Sequence, residues 1–397
     1  MKTLWKNVCL VLPNKLMDHG WLLTDDEYIT DYGTGEAPVT LADRVYDGEG
    51  KYLSPGFIDI HVHGAKGHEF YDKDEDAIET VLKTHLRFGT TTILPTVSAM
   101  RHERCLWFLK RFDGLFETLQ KRNDIPDVPG IHMEGPFIDG DVIGGMIKGC
   151  CRPVNMEEAK QYLKIGARFI RRMTVACEMP HAYELGRLLD QMGISASIGH
   201  SNATLQQVQQ AFDNGFRSIT HLYSSCSFYH RNGPYREGGI VEAAFLMDDL
   251  DVEMIGDGCH LPKEFLQLIY KIKGEDHIAL ITDASRYTDL NVPEGQILHS
   301  DVEEQPNLYI ENGVAVLESG KCFAGSICTT DRLIRTMTQI AGIPLCSAVK
   351  MATLTPARMV GIDSQVGSIA RGKRANLVLF DHDIRIGHVI RRGELVI

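Results

Sequence analysis

The stretch "FIDIHVHG", Phe57–Gly64, starts as an apolar, β-branched run and finishes on two imidazoles, His61 and His63, before a glycine. Residues two apart on a strand point to the same side, so both rings leave this strand together. Packing alone gives a strand no reason to end on imidazoles; a shared site at the strand's end does.

Seven more apolar runs follow at regular intervals: Thr90–Thr96, Val128–Glu134, Phe169–Ala176, Ile194–His200, Ser218–His221, Val252–Asp257 and Ile278–Asp283. Helix-length segments lie between them. "DEDAIETVLKTHLRFG" opens on acidic residues and closes on Gly89, as a capped helix does. "NMEEAKQYLKIG", "ATLQQVQQAFDNG" and "LPKEFLQLIYKIKG" repeat the plan. Eight strand–helix alternations predict an α/β chain folded as a (β/α)8 TIM-type barrel. A doubly wound open sheet is the alternative, which count and length disfavour. The ends break the rhythm with short runs and turns. Residues 1–54 and 361–397 are expected to pair into a small β-sandwich flanking a barrel over residues 55–360.

With 397 residues and 44% hydrophobic content the chain can bury a large core. Its net charge of −12 gives no basic footprint for nucleic acid or an anionic membrane. "MKTLWKNVCLVLPNKLMDHG" is broken by Pro13, Lys15 and Asp18, so it reads as an edge strand rather than a signal peptide, and no run is long enough to span a membrane. Ten scattered cysteines without a secretion signal point to free thiols and a cytoplasmic location. The adjacent Cys150 and Cys151 lack the spacing of a structural zinc site.

Active sites of such barrels lie at the C-terminal ends of the strands. There the runs deliver His61 and His63, Glu134, His200, His221 and Asp283. Asp283 alone could cap a helix, and His132 could be a core histidine. Imidazoles and carboxylates ending five separate strands are hard to obtain from packing. Together they suit zinc, iron, manganese or nickel, with zinc the usual hydrolytic ion, and predict a divalent metal site.

The motifs "PGFIDIHVHG", "GIHMEGPFI", "IGHSNAT", "THLY", "IGDGCHL", "ITDAS", "FAGS" and "GSIARGKRANLVLFD" occur in this order from Pro55 to Asp381. In them the chain resembles the amidohydrolase superfamily, and within it the N-acetylglucosamine-6-phosphate deacetylases. The resemblance implies Glu134, His200 and His221 as main metal ligands, with His61 and His63 holding a second ion that Glu134 bridges. It implies Asp283 as general base and then general acid in removing acetate from an amino-sugar nitrogen. His260, Arg236, Ser224, Ser225, Lys148, Cys151 and Ala324 would contact the substrate, and the protein would be a homodimer. No lysine on the fourth strand suits carbamylation, and Glu178 stands out at that strand's end. Rival readings are an amidohydrolase acting on N-acyl amino acids or cyclic amides, and a non-catalytic scaffold, which the full ligand set disfavours.

Two departures fall on the substrate side. The family's Lys-Gly-x-His becomes "KGCC", with Cys151 at the histidine position in a loop longer by several residues. A thiol cannot replace an imidazolium near a developing oxyanion. After "THLY" the family's Asn-Ala-Met becomes Ser224-Ser225-Cys226, followed by an enlarged loop with Phe228, Tyr229, His230 and Tyr235. Aromatic faces there suit a sugar or a packed lid, and His230 is a candidate to supply the missing imidazole.

Overall fold

The computed structural model describes residues 1–299 and 306–397. All eight runs become strands of one parallel sheet, in chain order: β1 (Phe57–Val62), β2 (Thr90–Val97), β3 (Ile131–Glu134), β4 (Ile170–Val175), β5 (Ser195–Ile198), β6 (Phe216–Ile219), β7 (Asp251–Ile255) and β8 (Ile278–Ile281). β8 returns to β1 at the upper rim. There the Asp283 N–H donates to the His61 carbonyl at 3.0 Å, and the His63 N–H donates to Ala284 at 2.8 Å. The sheet is thereby closed into the expected barrel.

Two of the helices quoted from the sequence open on side-chain caps, whereas Asp76 makes no capping bond at the start of Ala77–Arg87. Asn155 accepts from the N–H groups of Glu157 and Glu158 and opens the helix Met156–Gly166. Thr204 and Gln207 exchange bonds in a capping box at the start of Leu205–Asp213. The helix Ala77–Arg87 turns Ile78, Val81, Leu82 and Leu86 inward, where they are buried. Each such side chain contributes about 1.5–3 kcal/mol on removal from water. Among the described residues no helix is long and apolar enough to cross a membrane.

The two ends do pair together. Tyr52–Pro55 lies between Lys2–Leu12 and Leu377–Phe380, joining the N- and C-terminal strands into one continuous eight-stranded sheet. It curls so that Tyr28 bridges to Arg374, around a core of Trp5, Leu10, Leu22, Leu53, Leu377 and Ile390. Several elements were not singled out in the sequence, among them the helices His102–Lys121 after β2 and Ala182–Gln191 after β4. Another is an antiparallel sheet inserted after β8, built from Ile297–Leu298, Leu308–Glu311, Val314–Leu317 and Phe323–Ser326. Its short, turn-rich strands gave no barrel-like spacing, yet it forms one wall of the barrel mouth.

Candidate metal centre

The six rim residues meet. His200, His221 and Asp283 each follow the end of their strand by two residues, and each has a positive φ: 47°, 29° and 48°. Left-handed backbone is costly for non-glycine residues and recurs at functional sites. Here it turns each side chain over the barrel mouth.

Glu134 sits at the middle, buried. Its Oε1 lies 3.1 Å from His200 Nε2 and 3.0 Å from His221 Nε2, and these two nitrogens are 3.1 Å apart. Its Oε2 lies 3.3 Å from His63 Nε2, which is 3.2 Å from Asp283 Oδ1 and 3.2 Å from His61 Nε2.

The outer ring nitrogens decide what the inner ones can be. His200 Nδ1 faces the Val142 carbonyl at 2.8 Å, and His221 Nδ1 faces the Ser224 carbonyl at 2.9 Å. A carbonyl only accepts, so both Nδ1 atoms carry hydrogen. In the neutral rings both Nε2 atoms then present lone pairs to each other and to a carboxylate. Three converging acceptors require a positive charge among them. The same demand shows in the acid–base balance: burial opposes every charge here, yet the facing charges win. His61 is pushed well above its ordinary value and His63 up to about 9, while Glu134 and Asp283 are held below theirs. A divalent cation fits this donor set, with Glu134, His200 and His221 within 3.1 Å of one another on one side, His61, His63 and Asp283 on the other, and His61 also within reach of Glu134 and His221.

Neighbouring residues fix the ring orientations. Ser98 Oγ lies 3.2 Å from His63 Nδ1, and Glu253 Oε2 lies 3.0 Å from His61 Nδ1. His132 stands edge-on behind His61 at 4.6 Å, between Thr96 and Thr174 hydroxyls, and burial keeps it neutral. It is a core histidine. Glu178 accepts from Ser201 Oγ at 2.5 Å and the Asn202 N–H at 2.6 Å, so its carboxylate clamps the turn that carries His200.

The centre opens into a cavity of about 1060 Å³. Ser224, Ser225, His260 and Ala324, four of the residues expected to contact a substrate, line it. Burial works to lower the His260 pKa, but the Asp257 carboxylate at 2.8 Å outweighs it and favours the imidazolium. Three expected contacts are elsewhere. Lys148 extends to solvent, 3.9 Å from Asp141. Cys151 packs against the loop, its S–H directed to the Ile147 carbonyl and its thiol pushed by burial to about 12; Cys150 faces the cavity in its place. The 3-10 turn Lys148–Cys150 rotates the pair by one residue relative to the sequence expectation. Arg236 lies on an exposed hairpin, bonded to the Pro234 carbonyl, and His230 on the same hairpin pairs with Glu237 at 3.2 Å. His230 therefore does not supply the missing imidazole within its own chain.

Sequence reasoning missed Glu253, Arg172, Ser98 and the Val142 carbonyl. Charged residues inside the apolar runs "FIRRMTV" and "VEMIGD" were the available signal for the first two.

Residues 52–396 match the amidohydrolase family. An N-acetylglucosamine-6-phosphate deacetylase of Lysinibacillus sphaericus is 29% identical over 353 residues, covering 88% of this chain and 86% of the relative. An N-acetylgalactosamine-6-phosphate deacetylase of Escherichia coli O157:H7 is 29% identical over 380 residues, covering 96% and 97%. A mutant N-acetyl-D-glucosamine-6-phosphate deacetylase of Mycobacterium smegmatis, solved with N-acetyl-D-glucosamine-6-phosphate, superposes with a TM-score of 0.88 at 27% identity, over 100% of this chain and 99% of that one.

Proposed function

The chain belongs to the amidohydrolase family, and we propose that it hydrolyses the acetamide of an N-acetylhexosamine 6-phosphate, releasing acetate and the free amine. The observation that carries this reading is the meeting of Glu134, His200 and His221 with Asp283 at the floor of a cavity wide enough for a hexose phosphate. Relatives acting on both glucosamine and galactosamine derivatives support the class of substrate and leave the C4 epimer to experiment.

The expected ion is zinc, one or two per subunit, held by Glu134, His200 and His221 and by His61 and His63. When bound, it polarises the amide carbonyl and makes a water more acidic. Asp283, kept ionised, takes the proton of the attacking water. It then passes that proton to the amide nitrogen, so that the C–N bond breaks with loss of a neutral amine rather than an amide anion. His260, as an imidazolium on the cavity wall, donates to the sugar, and the backbone of Ser224, Ser225 and Ala324 shapes the pocket. We take residues 55–360 as the catalytic unit. The exposed Arg236 suits delivery to the phosphate of a neighbouring subunit in a homodimer. Ten unpaired cysteines support a reducing, cytoplasmic setting.

The test is free-amine release from acetylated hexosamines with and without a 6-phosphate, using zinc-loaded protein. Turnover confined to the 6-phosphates is expected, and turnover of N-acyl amino acids or cyclic amides instead overturns the reading.

A further inference from the structure

We propose that Glu253, charge-balanced by Arg172, is the positioning residue for His61, and that it thereby sets whether the side of the centre formed by His61, His63 and Asp283 holds an ion. The inference rests on reading the rim as a metal centre and is independent of the substrate.

Glu253 on β7 and Arg172 on β4 are both wholly buried inside the barrel. Glu253 Oε1 pairs with Arg172 Nη2 at 2.9 Å. The guanidinium is held from three sides, by Ser195 Oγ at 3.2 Å, Ser218 Oγ at 3.0 Å and Ser197 Oγ at 2.8 Å. The other carboxylate oxygen, Oε2, faces His61 Nδ1 at 3.0 Å and also accepts the backbone N–H of His221 at 3.2 Å.

Stability does not account for this pair. Removing two charges from water costs several kcal/mol each, and well-packed apolar residues of similar volume often serve a fold as well or better. Barrel interiors are ordinarily filled with branched aliphatic side chains. This pair departs from that filling, in an interior that also buries Asp59, His132 and Thr174, and it lies directly beneath one ligand.

The four imidazoles are also not held alike. His200 and His221 donate to neutral backbone carbonyls, and His63 meets a serine hydroxyl. His61 alone is backed by a carboxylate. That contact keeps hydrogen on Nδ1, leaves the Nε2 lone pair facing Glu134, His63 and Asp283, and makes the ring a stronger donor to a cation. The His61 side of the centre depends on this support; the Glu134, His200 and His221 side has its own.

The test is zinc uptake by the full-length protein at graded free zinc, measured by stoichiometry and affinity rather than by turnover. The wild type is expected to take two ions. Glu253→Gln keeps an acceptor but removes the charge, and is expected to weaken one ion about 10- to 100-fold while leaving the other unchanged. Because Glu253→Gln strands Arg172 and could impair folding, the double variant Arg172→Met/Glu253→Met replaces the pair by apolar side chains; it also removes the acceptor of the His221 N–H, and is expected to weaken the ion on the His61 side more than the other. Equal weakening of both ions, wild-type affinities in the double variant, or uptake of a single ion by the wild type overturns the proposal. Failure of the deacetylase reading would appear in amine release, which this experiment does not use.

Discussion

The Val142 carbonyl accepts the Nδ1–H of His200 at 2.8 Å, so a loop that departs from the family pattern also orients one imidazole of the centre. Gly144, two residues on, has φ +60°, and an added Cβ would lie 3.3 Å from Ser225 Oγ and 3.4 Å from His200 Cε1. Gly144→Val is therefore expected to displace the loop, rotate His200 and weaken metal binding about 10- to 100-fold. Metal titration checks this, and wild-type affinity would show that the loop is passive.

Asp283 Oδ1 lies 3.2 Å from His63 Nε2, and the residue lines the cavity together with His260. Asp283→Asn keeps its shape and removes its basicity. A fall in kcat of about 10²- to 10⁴-fold is expected, with the ion on the Glu134 side retained. Steady-state kinetics alongside metal analysis measures both, and residual turnover near wild type would remove Asp283 from the proton path.

His85 carries a pH prediction. It is fully buried, donates Nε2–H to the Gly64 carbonyl at 3.1 Å, and burial depresses its pKa to about 4. Between about 6.5, the unfolded value, and about 4, the unfolded chain binds a proton that the folded chain does not. Stability therefore rises with pH across this window and is lost as pH falls through it, by about 3 kcal/mol in full. Denaturant unfolding at pH 7 and pH 4.5 should show the loss in wild type and a smaller pH dependence in His85→Leu.

Glu178 holds the Ser201 and Asn202 turn through two short bonds. Glu178→Ala leaves those donors without their acceptor and is expected to cost about 1–3 kcal/mol. The free energy of unfolding measures it, and a drop in metal affinity should accompany it because His200 precedes that turn.

Arg236 makes its one described side-chain bond within its own hairpin, to the Pro234 carbonyl at 3.3 Å. Arg236→Ala should therefore leave folding and metal content alone. If the neighbouring subunit's substrate meets this guanidinium, KM for 6-phosphates rises about tenfold or more, the worth of one charged hydrogen bond. An unchanged KM would assign phosphate recognition to another residue.

The barrel was legible because its strands are buried on both faces and its helices are amphipathic, two of them with side-chain caps, all of which leave local marks. The rim cluster was legible for the same reason: His61, His63, Glu134, His200, His221 and Asp283 end apolar runs at one structural level. What was not legible depends on backbone geometry. The half-turn that brings Cys150 rather than Cys151 to the cavity arises from a 3-10 turn, and a backbone carbonyl such as that of Val142 has no sequence signature. The hairpin that keeps His230 outside its own cavity is likewise set by pairing with Tyr235–Glu237, not by residue type. The pair Arg172–Glu253 could have been noticed, since two charges inside apolar strands are expensive unless they meet.

The barrel's last join has a dynamic consequence. β8 is fastened to β1 by the amides of Asp283 and His63, the same residues whose side chains face the centre. A transient opening of that seam cannot leave the cluster intact, because it pulls the Asp283 carboxylate away from the imidazoles. Amide hydrogen exchange at Asp283 and His63 would thus time the fluctuation that takes the cluster apart, and an ion held by residues of both strands would slow it, acting as a rivet in the wall.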